Sequence, residues 1–209
     1  MTDYRCTSFC PSFQDIVNKK KALGDEISKN HRQSRNHYGF VSKRGTEEHC
    51  NFVKIFNEKC GYCGCSLDIV PVSLFEIDHI EPASRVVDSE RNLNDIENLV
   101  LACRTCNGGK LDFWTQELGS IWRPDDGGIC QVFERDELYN IKVTSDYADN
   151  EKVKELFERL KLNGQIRRLD YLLMSMLGYM ETLSSDDPKK AKLQEVYIQL
   201  LNKRNRICV

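Results

Sequence analysis

The first fifty residues have the apolar periodicity of helices. Between residues 12 and 29, apolar side chains recur every three or four positions, as on the buried face of an amphipathic helix. A second, shorter helix is predicted to begin after Thr46, because threonine is a favoured N-cap residue and Phe52 and Phe56 follow at helical spacing. The predicted N-terminal helical segment covers residues 1–49.

The pattern changes in the next part of the chain. Residues 73–80 and 98–102 are short runs rich in Leu, Ile, Val and Phe, which predict two β-strands joined by a polar loop. A helix is predicted to follow Cys106. The order strand, loop, strand and helix would make residues 50–115 a small folding unit of its own.

The rest of the chain divides into a connecting region and a helical region. Residues 116–149 would form the connection, in which the apolar runs 129–133 and 139–143 predict a hairpin. Residues 150–209 return to helical spacing, and Pro188 suits the first turn of the last helix. The predicted fold class is therefore α+β, with helices on both sides of the two-stranded unit.

The composition is that of a soluble protein. Of the 209 residues, 40% are hydrophobic and 30% are charged, which excludes a collagen-like, mucin-like or disordered chain. No apolar run approaches the roughly 18 residues of a membrane span, and the first ten residues lack the basic and apolar regions of a signal peptide. The chain is therefore expected to be cytoplasmic and to have no membrane partner.

The small net charge of −2 is unevenly distributed. Residues 1–50 carry 9 basic and 6 acidic side chains, residues 111–150 carry 3 and 9, and residues 151–209 carry 12 and 8. A chain with a slightly negative net charge is not expected to bind polyanions indiscriminately, although local basic patches are compatible with this charge balance.

Ten cysteines in a chain expected in a reducing compartment indicate metal or redox chemistry rather than disulfides. Two pairs have the C-x-x-C spacing, and four thiolates are the tetrahedral ligand set of a structural zinc. These four residues are Cys60, Cys63, Cys103 and Cys106. Glycines beside each pair would let the backbone turn tightly around the ion. An iron–sulfur cluster and a dithiol redox site are the alternatives.

A second kind of site is indicated between and just after the two cysteine pairs. Asp78 offers a carboxylate and Asn107 an amide carbonyl, and both are hard oxygen ligands of the kind that Mg²⁺ or Mn²⁺ prefers. His79 supplies an imidazole, which can accept a proton at neutral pH. A divalent metal beside a base is suited to hydrolysis of a phosphodiester.

Taken in order, these residues resemble the zinc-stabilised HNH endonucleases, a family of ββα-metal nucleases. The resemblance covers about residues 50–115 and implies a ββα-metal core with a four-cysteine structural zinc, flanked by N-terminal helices and a C-terminal helical region. It also implies cleavage of nucleic acid to 5′-phosphate and 3′-hydroxyl ends. The residues that carry it are the two cysteine pairs, Asp78–His79–Ile80 with Pro82, Asn98–Leu99, Asn107 and Lys110.

The resemblance implies a role for each polar residue. His79 would be the general base that activates water, and Asp78 and Asn107 would hold the single catalytic Mg²⁺ or Mn²⁺. Asn98 would brace the loop that aims His79. The candidates for contact with the nucleic acid are Lys110 and Arg104.

Two departures from the family pattern are visible. Position 107 is Asn where many members have His, which implies weaker binding of the catalytic metal. The segment 84–90 lacks the glycine pair that often follows the first His, and it is bulkier and charged.

DNA is the preferred substrate, and an RNA-cleaving nuclease is an alternative. A non-catalytic zinc module that binds nucleic acid or protein would retain the cysteines but would have no use for Asp78, His79 and Asn107 together. The layout is also similar to HNH effectors paired with an ATPase in bacterial antiphage systems of the Septu and retron type, which implies a defence role. Because the middle of the chain is acidic, substrate recruitment is expected through the basic termini, a homodimer or an ATPase partner protein.

Three features receive structural interpretations. The basic run of residues 19–21 is predicted to be a solvated helix face, and Trp122 is predicted to lie in the core. Glu76 is predicted to form a salt bridge rather than to bind metal.

Overall fold

The computed structural model describes most of the chain, namely residues 3–32, 34–82, 92–115, 119 and 122–207. These residues form helices and two small antiparallel sheets that share one hydrophobic core. The predicted α+β mixture of helices and small sheets is therefore confirmed. No helix in these ranges is long and apolar enough to cross a membrane.

Among the described residues, three α-helices precede the first strand: α1 (Ile16–Asn30), α2 (His37–Val41) and α3 (Glu47–Ile55). The Thr46 hydroxyl accepts a hydrogen bond from the His49 backbone N–H at 3.3 Å, so the predicted cap of α3 is confirmed. The first helix begins later than the predicted residue 12. Asp15, just before it, has φ 53°, a left-handed conformation that a right-handed helix does not contain.

The prediction of a solvated face at residues 19–21 is wrong at its middle residue. Lys20 is 1% exposed, and its ammonium donates to Asp125 Oδ2 at 2.6 Å and to the Glu97 carbonyl at 3.0 Å. This buried ion pair ties α1 to the connecting region and to the short turn before the second strand. Burial lowers the pKa of Lys20, and its attraction to Asp125 opposes that shift.

The predicted order strand, strand, helix is confirmed in the middle of the chain. Strand β1 (Phe75–His79) pairs antiparallel with β2 (Leu99–Cys103), so that His79 lies opposite Leu99 and Phe75 opposite Cys103. Helix α4 (Arg104–Lys110) follows β2 directly. Every residue of β2 is buried, which explains why its sequence is an unbroken apolar run.

The connecting region contains the predicted hairpin in a shortened form. Strand β3 (Phe133–Arg135) pairs antiparallel with β4 (Ile141–Val143). The first apolar run was predicted to be a strand, but its beginning is the short helix α5 (Ile129–Val132). A short apolar run does not by itself distinguish a buried turn of helix from a strand, and here the strand pairing begins only at Phe133.

Three helices complete the chain: α6 (Glu151–Arg159), α7 (Gln165–Thr182) and α8 (Pro188–Asn205). Pro188 occupies the first turn of α8, as predicted. Helix α6 packs against α4 at Gly109, where an added Cβ would lie 1.9 Å from the Arg159 carbonyl oxygen. Gly109, one of the two glycines that follow the second cysteine pair, therefore permits a close helix contact rather than the tight turn around the ion that was predicted for the glycines beside the cysteines.

The core joins the two-stranded unit to the regions on both sides of it. Trp122 is completely buried, and its ring lies 6.5 Å from that of Tyr62, which lies between Cys60 and Cys63. The prediction that Trp122 lies in the core is confirmed. The stacking connects the connecting region to the loop that carries the first cysteine pair.

Candidate functional site

The four cysteines of the two C-x-x-C pairs come together in the fold. Their Sγ atoms all lie within 4.8 Å of one another, and all four side chains are buried. A tetrahedral zinc with Zn–S bonds of about 2.3 Å requires sulfur–sulfur edges of roughly 3.8 Å. The Sγ atoms of Cys63 and Cys103 are 3.8 Å apart. Donor type, number and spacing therefore fit a structural zinc.

Backbone hydrogen bonds shape the loop that carries the first pair. The Cys60 N–H donates to the Cys65 carbonyl at 2.9 Å, and the Gly61 N–H donates to the Leu101 carbonyl of β2 at 2.8 Å. Gly64 has φ 77°, and an added Cβ there would lie 2.5 Å from the Arg5 carbonyl oxygen. Although Cys65 is buried, it is not one of the four clustered ligands.

An arginine from the C-terminal helices lies directly against the cysteine cluster. Arg167 of α7 is 4% exposed, and its guanidinium donates to Cys63 Sγ at 3.1 Å and to Cys106 Sγ at 3.4 Å. Burial alone would lower the pKa of Arg167, but the cysteines raise it well above its usual value. Since a zinc held by four thiolates would carry two net negative charges, this permanent cation would offset part of that charge.

The polar residues of the second predicted site lie on β1 and α4. The Asp78 side chain is 9% exposed; its Oδ2 accepts from the Tyr62 hydroxyl at 2.8 Å and lies 3.2 Å from Lys110 Nζ. Burial raises the pKa of Asp78, and Lys110 opposes that shift. The other oxygen, Oδ1, accepts no hydrogen bond from the described residues. Asp78 Oδ1 is therefore available as a metal ligand.

Lys110 does not lie where a residue that contacts phosphate is expected. The side chain is 0% exposed, and its ammonium donates to the His79 carbonyl at 2.8 Å as well as pairing with Asp78. Lys110 is the last residue of α4, and this position directs the ammonium into the strand pair rather than outward. In this structure it holds the end of β1 in place.

Asn107 and Arg104 share one carboxylate. The Asn107 amide Nδ2 donates to Glu76 Oε2 at 2.6 Å, and Arg104 Nε lies 3.2 Å from Glu76 Oε1. The predicted salt bridge of Glu76 is confirmed. The Arg104 side chain is 66% exposed, whereas Asn107 is half-buried and its Oδ1 accepts no hydrogen bond from the described residues. That oxygen is the second hard donor of the predicted metal pair.

Strand and helix periodicity place these oxygens on facing surfaces. Glu76 and Asp78 project from the same face of β1, and Asn107 and Lys110 lie one turn apart on α4. The contacts Glu76–Asn107 and Asp78–Lys110 show that the two faces meet. The structure thus brings Asp78 and Asn107 to one interface.

His79 ends β1 and projects to the other face of the strand. Its Nε2 lies 3.0 Å from Asn94 Oδ1, and its ring lies 4.5 Å from that of Tyr38. Because an amide oxygen can only accept, Nε2 carries the hydrogen, and the Nδ1 of a neutral imidazole then has the free lone pair. No hydrogen bond among the described residues joins His79 to Asp78 or Asn107.

Asn98 fixes the backbone on both sides of the loop. Its Oδ1 accepts from the Glu81 N–H at 2.9 Å, and its Nδ2 donates to the carbonyls of Glu81 and Leu93 at 3.0 Å each. Asn98 thereby contacts the residues just after β1 and just before Asn94, the partner of His79. The predicted departure at residues 84–90 lies outside the described residues.

Residues 60–113 match the HNH endonuclease family model. The match spans all four clustered cysteines together with both strands and the helix of the ββα unit. Neither the curated proteins nor the solved structures contain a significant match to this chain. The HNH domain is therefore the part of the molecule for which a relationship is shown.

Four residues that contact the HNH site were not singled out from the sequence. Tyr62 lies between Cys60 and Cys63, so its position in the sequence indicated that it would be buried near the cysteine cluster. Asn94 lies in a polar loop with other asparagines, so the sequence does not show which amide contacts His79. Tyr38 and Arg167 come from distant helices, and no pattern in the chain connects them to the domain.

Proposed function

We propose that this chain is a divalent-metal-dependent endonuclease that hydrolyses phosphodiester bonds, with DNA as its substrate and His79 as the general base. The observation that carries the proposal is the hydrogen bond from His79 to Asn94 within an HNH domain. This bond leaves the lone pair of Nδ1 free to accept a proton, while Asp78, on the other face of β1, keeps its Oδ1 free of hydrogen bonds from the described residues. A module that only binds has no need for this arrangement.

In the proposed reaction, His79 Nδ1 accepts a proton from water as the water oxygen attacks phosphorus. The bond from phosphorus to the 3′ oxygen breaks and the departing oxygen takes a proton from solvent, so the products carry 5′-phosphate and 3′-hydroxyl ends. Asn94 holds the imidazole in the tautomer and orientation that this transfer requires. A phosphate over the end of β1 would be flanked by His79 on one side and Asp78 on the other.

Asp78 and Asn107 are the residues that would hold the catalytic cation, through the two Oδ1 atoms that their own partners leave available. Bound Mg²⁺ or Mn²⁺ would stabilise negative charge on the departing oxygen. The donor set is one carboxylate and one amide, which fits a hard cation that retains several waters. Because an amide replaces the imidazole of many HNH domains, weak binding of this cation is expected.

Zinc at the four cysteines has a separate, architectural role in this proposal. Its ligands are all protein thiolates and leave no open position for water or substrate. Those ligands come from the loop before β1 and from the junction of β2 with α4. Zinc would therefore hold together the elements that position Asp78, His79 and Asn107.

Cleavage assays test the proposal directly. Plasmid DNA and RNA are incubated with the full chain in Mg²⁺, Mn²⁺ or EDTA, and wild type is compared with His79→Ala and with Lys192→Ala, at an exposed residue of α8, as a control outside the site. We expect cleavage of DNA that EDTA abolishes, a loss of about 10²-fold or more in His79→Ala, and no change in the control. Full activity of a folded His79→Ala variant would exclude the assigned base.

A biological setting is part of the same proposal. The acidic middle of the chain suggests recruitment of substrate by a homodimer or by an ATPase partner, as expected for a cytoplasmic effector of bacterial antiphage defence. Purification of the chain from its own host should then yield a stoichiometric ATPase subunit or a dimer. A monomer that cleaves DNA at full rate without a partner would contradict this setting.

A further inference from the structure

The longest stretch of the sequence without an acidic residue passes beside His79. Residues 27–46 contain no Asp or Glu in a chain that has 32 of them. The five cations of this basic segment are Lys29, Arg32, Arg35, Lys43 and Arg44. All five side chains are exposed, and none forms an ion pair with another described residue.

The basic segment is attached to the candidate site at the His79 end of β1. The Tyr38 ring lies 4.5 Å from the His79 ring, and the Tyr38 N–H donates to the Asn94 carbonyl at 3.1 Å. Asn92 Nδ2 donates to the Arg35 carbonyl at 2.7 Å. The segment thus contacts both the candidate base and the loop that orients it.

The other end of the segment is attached at the start of β1. The Arg44 guanidinium donates to the Phe75 carbonyl at 2.6 Å and to the Ser73 carbonyl at 3.1 Å. The segment therefore follows β1 along its length. Five strand residues span roughly 13 Å, which matches about four base pairs of duplex at 3.4 Å each.

The cations on the opposite side of β1 are already paired with carboxylates. Arg104 pairs with Glu76, and Lys110 is buried against Asp78. The exposed cations of the basic segment have no such partner in the described part of the chain, so they can release counterions when they meet phosphates. A chain with net charge −2 can bind a polyanion through such a local surface.

We infer that the basic segment is the surface that binds the phosphate backbone of substrate DNA next to the scissile bond. This inference rests on the proposed nuclease function and assigns it a substrate surface. Contacts of this kind position the duplex without reading its sequence. Tyr38 connects the surface to the site, because the same helix that carries it against His79 lies between Arg35 and Lys43.

The test uses charge reversal with a matched control. Arg35→Glu/Lys43→Glu is compared with Lys189→Glu/Lys192→Glu on α8, which changes the net charge by the same amount. Both double variants are made in the His79→Ala chain, and circular dichroism checks that they fold. Fluorescence anisotropy then measures their binding to a labelled DNA duplex at several salt concentrations. We expect Arg35→Glu/Lys43→Glu to weaken DNA binding about tenfold or more and to reduce the slope of log affinity against log salt concentration by about two. The affinity of the α8 variant should stay within about twofold of that of the His79→Ala chain.

The possible outcomes distinguish failure of the proposed surface from failure of the proposed nuclease function. The proposed surface would be overturned if both pairs of substitutions weakened DNA binding equally. It would also be overturned if Arg35→Glu/Lys43→Glu did not weaken DNA binding, even if wild type cleaves DNA. When the same assay is run with labelled RNA, loss of RNA binding with unchanged DNA binding would overturn the assignment of the surface to DNA. If wild type fails to cleave in Mg²⁺ or Mn²⁺, the proposed function fails, and the binding measurements still decide the surface.

Discussion

Arg167 donates a hydrogen bond at 3.1 Å to the sulfur of Cys63, although the two residues are 104 positions apart in the chain. The contact joins the C-terminal helices to the centre of the HNH domain. Removing the guanidinium would leave the negative charge of a zinc tetrathiolate without its buried cation. The C-terminal region and the zinc centre are thus expected to stabilise each other.

Replacement of Arg167 tests this coupling. Arg167→Met retains much of the buried volume but removes the charge and the N–H donors, and we expect zinc affinity to fall by about 10- to 100-fold. Competition with a chromophoric chelator measures the affinity, and Lys154→Met on the exposed surface of α6 is the control. If Arg167→Met binds zinc as tightly as the control, the guanidinium has no role at the metal.

Loss of one cysteine ligand should unfold the HNH domain. Zinc binding at such sites contributes on the order of 10 kcal/mol to folding, which is comparable to the whole stability of a domain. We expect Cys103→Ser to lose its zinc and its cooperative thermal unfolding, as followed by metal analysis and circular dichroism. Cys50→Ser, at an exposed cysteine, should retain both. A zinc-free Cys103→Ser chain with normal cooperative unfolding would contradict the architectural role.

Asn94 should act on catalysis through His79. Asn94→Ala removes the acceptor at Nε2, so we expect kcat to fall by about tenfold or more, because the imidazole loses its fixed tautomer, with DNA affinity unchanged. Nitrogen NMR of the His79 ring should show a shift away from the Nε2–H tautomer. Asn94→Asp restores an acceptor and should restore that tautomer. An unaltered His79 spectrum in Asn94→Ala would rule out the positioning role.

Two adjacent glycines of α4, Gly108 and Gly109, allow a test of how closely α4 packs against α6. An added methyl at Gly109 would meet the Arg159 carbonyl oxygen at 1.9 Å, whereas a methyl added at Gly108 would meet no described atom within 4 Å outside its chain neighbours and its own helix backbone. We expect Gly109→Ala to lower the free energy of unfolding by about 1–3 kcal/mol, and Gly108→Ala to raise it by up to about 1 kcal/mol. Denaturant unfolding of both variants measures the difference, and equal effects would show that α6 does not pack closely against α4.

The cysteine cluster and the strand–strand–helix order were predictable because both depend on local spacing. A C-x-x-C pair places two thiols on one turn, so two such pairs indicate a metal wherever the chain brings them together. The apolar run at residues 98–102 predicted a strand, and in the structure every residue of β2 is buried. Lys20, in the middle of the 19–21 run, was predicted incorrectly for the opposite reason, and Lys110, expected to contact phosphate, is buried against Asp78. Whether a lysine is solvated or buried depends on which carboxylate the fold places beside it.

The sequence by itself determined the ligand types, their order and the kind of core they require, since donor chemistry and strand or helix periodicity are properties of neighbouring residues. Only the tertiary structure decided that Arg167 faces the cysteines, that Asn94 holds His79 and that the basic segment lies along β1. These are pairings between distant parts of the chain. Their free energy comes from burial and hydrogen bonding across the whole fold, which no window of sequence contains.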